Sequence, residues 1–399
     1  MLADTDFRSA SKSVLADALR ASRRDTLATF AQIEAALPDL QVPYRAELNP
    51  PLWELGHVGW FQQYWLHRNP QHWLGAQADP AAPRWPPLGP DDDALFNSSL
   101  VPHASRWQLP LPSAEALRGG LEAGLARTLE MLHACADTDQ ALYFYRLVLA
   151  HEDMHHEAAL YMAQALALPA GASRWRPQVP NAQRMTLSFD AQPFEQGWSG
   201  PGFAFDNELG AHRSVLPASR IDSRVVLWGE YLPFVEDGGY ADERWWSEAG
   251  RDWRRANGAQ SPRYLRRAEG GWQRRHGDRW PALDPTLPAC HLNAHEADAW
   301  CTWAGRRLPS EAEWERAAVQ GGPAFDWGQV WEWTASPFAP YPGFAPHPYM
   351  DYSAPWFGSR RVLRGASFAT QPRLRHLRYR NYFTPERNDI YAGFRSCAI

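Results

Sequence analysis

The stretch TDQALYFYRLVLAHEDMHHEAALYMAQALAL, residues 138–168, reads as one long helix and carries the strongest chemical signal in the chain. Thr138 and Asp139 belong to the residue types that cap a helix start by accepting free backbone N–H groups. Within the helix, HEDMHHE sets His151 and His155 four residues apart, so both imidazoles lie on one face within reach of a single metal ion. Two ligands are rarely enough, and a third has to come from another element. His57, within LGHVGWF of another helix, is the best candidate, because facing helices build metal sites in bundle interiors. The plainer alternative leaves His151, His155 and His156 solvated or singly hydrogen-bonded, but an i, i+4 pair inside an apolar helix favours metal. His151, Glu152 and His155 also spell H-E-x-x-H, which in a metalloprotease supplies two zinc ligands and a general-base glutamate. Nothing downstream continues a zincin arrangement. Glu157 is either a surface carboxylate or a group that orients a ligand imidazole through its ring N–H.

Three further helices precede this one. Over 13–37 apolar residues recur at helical spacing (Leu15, Leu19, Leu27, Phe30, Ile33, Leu37) until Pro38 ends the pattern. A second run starts at Pro50 and Pro51 and carries LWELGHVGWFQQYWLH to about Arg68, where Asn69 and Pro70 stop it. Over 71–112 the chain is dense in Pro, Trp and Asp and is expected to run as a long excursion over the surface. A helix over 113–134 follows. Four long helices with one long connection describe a four-helix bundle.

Residues 168–180, LPAGASRWRPQVP, break the helical period and form the best linker candidate. Beyond them SRVVLW (223–228) and RRVLRGASF (360–368) read as strands, and 293–304 and 310–320 as helices between turns. The expected fold class is α+β, with a helical unit over 1–172 and a loop-rich mixed unit over 173–399. There is no internal repeat and no low-complexity tract.

Composition narrows the function. The chain has 399 residues, 45% hydrophobic and 21% charged, as in an ordinary soluble protein able to bury real cores. A net charge of -5 supplies no basic surface for phosphate binding, so nucleic acid is not an expected partner. No apolar run is long enough to cross a membrane, and the opening MLADTDFRSASKSV lacks the order of a signal peptide, so a cytoplasmic protein without membrane partners is expected. Cys135, Cys290, Cys301 and Cys397 form no C-x-x-C pair and are expected to be buried thiols. The 21 Trp and 34 Pro suit irregular, loop-rich structure pinned by large aromatic side chains.

LGHVGWF followed by HEDMHHE resembles the metal-binding domain of the iron-dependent sulfoxide synthases of ergothioneine and ovothiol biosynthesis. GEYLPFVEDGGY (229–240), RLPSEAEWE (307–315), VWEWTASPF (330–338), VLRGASFAT (362–370) and YRNYFTPERNDIYAGFR (379–395) resemble the second domain of the same enzymes. The resemblance implies a DinB-like four-helix bundle joined to a formylglycine-generating-enzyme-like, C-type-lectin-related domain. It implies His57, His151 and His155 as ligands of Fe(II), with O2 as co-substrate and hercynine, the betaine of histidine, as substrate. Three imidazoles on one side of the ion leave positions open for dioxygen, substrate and a sulfur or selenium donor. Asn381 and Tyr382 would bind the substrate imidazole, and Tyr349 or Tyr352 in HPYMDYSAPWF would be the catalytic tyrosine, unless both only pack. Trp331 and Trp333 are assigned to the core, and Gly365 and Gly393 to turns or close packing.

Three departures bear on the donor. Family members that use gamma-glutamylcysteine carry two arginines in a bundle-domain loop, whereas FNSSLVPHASRWQLPLPS (96–113) has only Arg106, expected with Met154 and Phe383 to be among the substrate-binding residues. The acid that follows the Asn-aromatic pair is Phe383 here, and the glutamine before the second helix histidine is Met154. A site without those charges suits a neutral donor, because buried charges need partners. SRWQLPLPS and PERNDIYAGFRSC are most similar to the selenoneine-forming branch, which couples hercynine to a selenosugar. Ergothioneine-type coupling to gamma-glutamylcysteine or cysteine is the alternative. A second alternative is a sugar- or peptide-binding protein whose metal is structural; a closed four-ligand site would mark it.

Overall fold

A computed structural model describes residues 6–87, 92–169, 171, 174–180 and 183–399. Four long helices pack pairwise on one another: α1 (Lys12–Ala36), α2 (Pro51–Gln62), α4 (Ala114–Ala134) and α5 (Asp139–Ala165). A short α3 (Asp92–Phe96) lies in the connection between α2 and α4. Local sequence sets the starts. Pro51 opens α2, and the Ser113 and Thr138 side chains accept the Ala116 and Ala141 backbone N–H groups to cap α4 and α5. α2 does not stop at Gln62; it widens into a π-helical turn over Gln63–His67 that keeps Trp65, Leu66 and His67 buried.

α5 is buried on nearly every side, because α1, α2, α4 and the turn over 72–77 pack on it and side chains of the second half reach it elsewhere. Its acids therefore need partners. Glu152 turns to α1, where Arg23 donates to it at 2.8 and 3.0 Å. Asp153 takes Arg373 from the second half at 2.8 and 2.6 Å and Ser22 from α1 at 2.7 Å. Glu157 accepts from Trp331, Ser367 and Thr370 at 2.8, 2.6 and 2.7 Å. The Asp153 and Glu157 bonds, with the buried Arg8–Glu208 pair and the part-exposed Arg263–Glu47 pair, fix the second half against the first.

The second half holds two four-stranded sheets. One runs β1 (Thr186–Phe189), β4 (Ser219–Asp222), β12 (Cys397–Ala398), β7 (Arg306–Arg307). The other runs β10 (Asn381–Phe383), β9 (Arg361–Gly365), β8 (Trp331–Pro337), β11 (Ala392–Gly393), with β11 parallel to β8. Helices α8 (Ala294–Trp303) and α9 (Glu311–Gln320) start where expected, each with a capping box, Asn293 with Glu296 and Ser310 with Glu313. RLPSEAEWE is a structural device: Glu311, Glu313 and Glu315 pair with Arg380, Arg307 and Arg364. Gly393 serves close packing, since a Cβ there would lie 2.2 Å from the Ala289 carbonyl oxygen.

Two expectations change. Residues 223–228 form no strand; Val225 and Val226 are buried, but Val226 N–H bonds the Phe394 carbonyl and Trp228 already starts a helix, Trp228–Glu236. The 71–112 excursion is not confined to the surface, because Phe96 is 3% exposed and packs against Gly56 of α2. The boundary expected between 172 and 173 lies outside the described residues. Among the described residues no helix is long and apolar enough to cross a membrane.

Candidate metal centre

The helix spacing and the packing of α2 on α5 bring His57, His151 and His155 together: one ligand atom from each lies within 4.8 Å of the others. Ring centroids are 5.0 Å apart for His57 and His151, 4.8 Å for His57 and His155, and 4.4 Å for His151 and His155. Two of the rings are held by their other nitrogen. His57 Nδ1–H donates to the Phe96 carbonyl at 2.8 Å, and His155 Nδ1–H donates to Glu54 Oε2 at 2.7 Å. Both leave Nε2 as a lone-pair donor, the arrangement usual for a metal-ligating histidine. His151 lies flat on Phe61, centroids 3.5 Å apart, and its buried Nε2 has no hydrogen-bond partner. An orphaned buried nitrogen aimed among two other imidazoles is costly unless a further group satisfies it, so these residues fit a metal ion.

Electrostatics favour neutral ligands. Burial, reinforced by the neighbouring His155, pushes the His57 imidazole down to about 3. Burial also pushes His151 well below the ordinary histidine range. Protons therefore do not compete for these two nitrogens near neutral pH. Burial alone would raise the Glu54 carboxyl, but the contact with His155 outweighs it and holds the group below its usual range, as an anion behind the ligand ring.

His151 and His155 open onto a cavity of about 240 Å³ between α5 and the second half of the chain. Met154, Asn381, Phe383, Tyr349 and Tyr352 line it, as does Trp331, which serves both core and wall. The two tyrosines differ. Tyr349 packs edge-on to Phe61 with its centroid 6.4 Å from His151, and its hydroxyl, raised by burial, is tied to no protein group among the described residues. Tyr352 stacks on Phe205 at 4.3 Å and shares a 3.0 Å hydrogen bond with the Tyr379 hydroxyl, which also reaches Met154 Sδ at 3.2 Å. Asn381 spends its side-chain oxygen on the Tyr382 N–H, leaving its NH2 for the cavity.

Other expected site residues lie elsewhere. Tyr382 is absent from the cavity wall and stacks on Phe338 at 4.0 Å. Neighbours on a strand point to opposite faces, so Asn381 and Phe383 face the cavity and Tyr382 cannot. Arg106 is also absent from the wall; its guanidinium lies 3.8 Å from the Trp53 ring centroid, behind the metal ligands. Glu152 is bound to Arg23 and cannot act as the H-E-x-x-H base. Glu157 orients no ligand imidazole, because it is spent on Trp331, Ser367 and Thr370. Glu54 does that work. It was detectable as an acid one helical turn before His57, whereas the Phe96 carbonyl and Tyr379 carried no such signal.

A family described as "Sulfatase-modifying factor enzyme 1-like domain" matches residues 176–329 and 325–398. The hercynine oxygenase of Mycobacterium tuberculosis is 31% identical over 411 residues, covering 90% of this chain and 92% of that protein. The hercynine oxygenase of Mycolicibacterium thermoresistibile is 32% identical over 416 residues, with 90% and 89% covered. The formylglycine-generating enzyme of Streptomyces coelicolor is 27% identical over 59% of this chain and 96% of its own length. The family model lies in the mixed half, whereas the two hercynine oxygenases match nine-tenths of the chain and make it a member of the hercynine oxygenase family of oxidoreductases.

Proposed function

We propose that this oxidoreductase binds one Fe(II) through His57, His151 and His155 and uses O2 to couple hercynine to a neutral selenium donor, a selenosugar. The observation that carries the reading is the meeting of three imidazoles beside a cavity, two of them, His151 and His155, at its wall, which no arginine or lysine lines among the described residues. Three ligands beside a cavity suit catalysis better than a structural site, which would be closed by a fourth. Hercynine is the molecule for which the oxygenase relatives are named, and its trimethylammonium group suits walls built from Trp331, Tyr379 and Phe383. In this proposal the helical part, to about residue 172, is a DinB-like bundle, and the remainder is the formylglycine-generating-enzyme-like unit.

When bound, Fe(II) supplies the one-electron chemistry that dioxygen activation requires. The chain does the rest. The Asn381 NH2 holds a ring nitrogen of the substrate, Phe383 and Met154 keep the donor side apolar, and the unbound Tyr349 hydroxyl moves a proton at the reacting centre. The net change balances without an outside reductant. A ring C–H and an Se–H are lost, a C–Se bond forms, one oxygen of O2 ends in the selenoxide and the other in water.

Competition between the selenosugar and gamma-glutamylcysteine, read by mass spectrometry, tests the donor. A wall without arginine or lysine leaves the peptide's carboxylates unpaired and predicts preference for the selenosugar, because an unpaired buried charge costs on the order of several kcal/mol. Phe383→Asp together with an added arginine in the 96–99 segment should shift use towards the peptide. A higher kcat/KM for gamma-glutamylcysteine or cysteine in the wild type would replace the selenium reading with the sulfur one.

A further inference from the structure

We infer that Arg106 is a positioning residue of the metal centre, holding two of the three histidines in place, and not a donor-binding cation. The inference rests on the three-histidine reading above. Arg106 reaches His155 through hydrogen bonds. Its Nη1 donates to Asn49 Oδ1 at 2.9 Å, Asn49 Nδ2 donates to Glu54 Oε1 at 2.5 Å, and His155 Nδ1–H donates to Glu54 Oε2 at 2.7 Å. The Asn49 amide has one orientation that serves both neighbours, oxygen to the guanidinium and NH2 to the carboxylate. Arg106 thus dictates how Asn49 grips Glu54, and Glu54 dictates the ring orientation of His155.

The second route is a stack. The Arg106 guanidinium lies 3.8 Å from the Trp53 ring centroid, and Trp53 stacks on His57, centroids 4.7 Å apart and planes 11° from parallel. Trp53 is pinned by its indole N–H on the Leu95 carbonyl at 2.9 Å, one residue before the carbonyl that holds His57. The planar cation and the ligand imidazole thus share one indole, which the cation helps to hold in place. Glu54, nearly fully buried, touches no arginine or lysine directly among the described residues; its partners are the Asn49 amide and His155. The positive charge it needs nearby is Arg106, one amide away, which explains why a lone arginine of the 96–113 segment sits behind the ligands and off the cavity wall.

The test uses the full chain loaded with Co(II), whose visible bands report ligand geometry, with affinity measured against a chromophoric chelator. Arg106→Met removes both routes, Asn49→Ala cuts only the hydrogen-bond route, and Arg106→Lys keeps charge without the planar fork. Losing an outer partner of a ligand typically weakens metal binding ~10–100-fold, so Arg106→Met and Asn49→Ala should lose that much and shift the bands, with Arg106→Lys between them and wild type. A merely structural role would lower the melting temperature and leave the bands of the folded protein unmoved. Wild-type affinity and spectrum in Arg106→Met, with a raised KM for the donor, would overturn the inference and restore donor binding. If Arg106→Met does not fold, unchanged affinity and bands in Asn49→Ala and Arg106→Lys would overturn it instead. Failure of the wild type to bind Co(II), or binding undiminished in His151→Ala, would strike the three-histidine reading itself and the inference with it.

Discussion

Replacing Gly56 by alanine should loosen the metal centre from outside its ligand set. A Cβ at Gly56 would sit 2.1, 2.4 and 2.7 Å from three carbons of the Phe96 ring. Carbon atoms rest ~3.5–4.0 Å apart, so the ring has to retreat by more than about 1 Å. Phe96 is 3% exposed and cannot swing into solvent. Overpacking of this kind costs ~1–3 kcal/mol, against the ~0.5–1 kcal/mol that alanine gains over glycine inside a helix. The net loss should lower Tm by several degrees, at roughly 2–4 °C per kcal/mol for a unit of this size. The ring belongs to the residue whose carbonyl accepts from His57 Nδ1, so its retreat also frees the His57 ring. Metal affinity should then fall ~10–100-fold. Gly120→Ala in α4 is the control, since nothing lies within 4 Å of a Cβ there, and it should gain stability with unchanged metal binding. Thermal melting and chelator competition read both effects. A Gly56→Ala protein with wild-type Tm and wild-type metal affinity would refute the link between Phe96 packing and His57.

Three further outcomes follow from the same structure. Tyr349→Phe should cut turnover with metal affinity retained, while Tyr352→Phe, whose hydroxyl only meets Tyr379 and Met154, should cost stability more than rate; the reverse order in single-turnover assays would exchange their roles. Glu152→Ala strands the buried Arg23 guanidinium and should cost ~3–5 kcal/mol while His151 and His155 still hold metal; loss of metal in the folded variant would revive the H-E-x-x-H reading. Burial pushes the Glu296 carboxyl up to about 7, so the folded state keeps a proton that the unfolded chain has lost, and stability drains away as pH rises from about 4.5 to about 7. Glu296→Gln removes that titration, so its Tm relative to wild type should rise across this window and then level; a constant difference would place the titration elsewhere.

What could be read in advance was local. The i, i+4 spacing of His151 and His155 needs only a helix, and His57 needs only a second helix facing the first. The cap Thr138 marked a helix start because its side-chain oxygen and the Ala141 N–H it accepts from lie three residues apart. Features set by distant packing were not legible. The Phe96 carbonyl is main chain and has no residue signature, and its approach depends on the missing side chain of Gly56. Tyr382 was assigned a role that the pleat of a three-residue strand denies it, because the phase of so short a strand is set by its pairing with β9. SRVVLW looked like a strand because a continuous apolar run is the same whether its backbone pairs in a sheet or crosses a core as an extended segment. Arg106 looked like a donor-binding cation since a sequence reveals the charge and not the face it turns to.

The decisive measurement is product analysis with iron counted. Protein reconstituted anaerobically with Fe(II), freed of excess metal and exposed to O2 with hercynine and the selenosugar, should hold one iron per chain and yield a hercynine–selenium adduct whose formation requires both O2 and hercynine. His57→Ala, His151→Ala and His155→Ala should each remove iron and product together while the mixed half stays folded. A wild-type protein that holds its iron yet joins hercynine to no selenium or sulfur donor, or full turnover in any of the three histidine variants, would contradict the assignment.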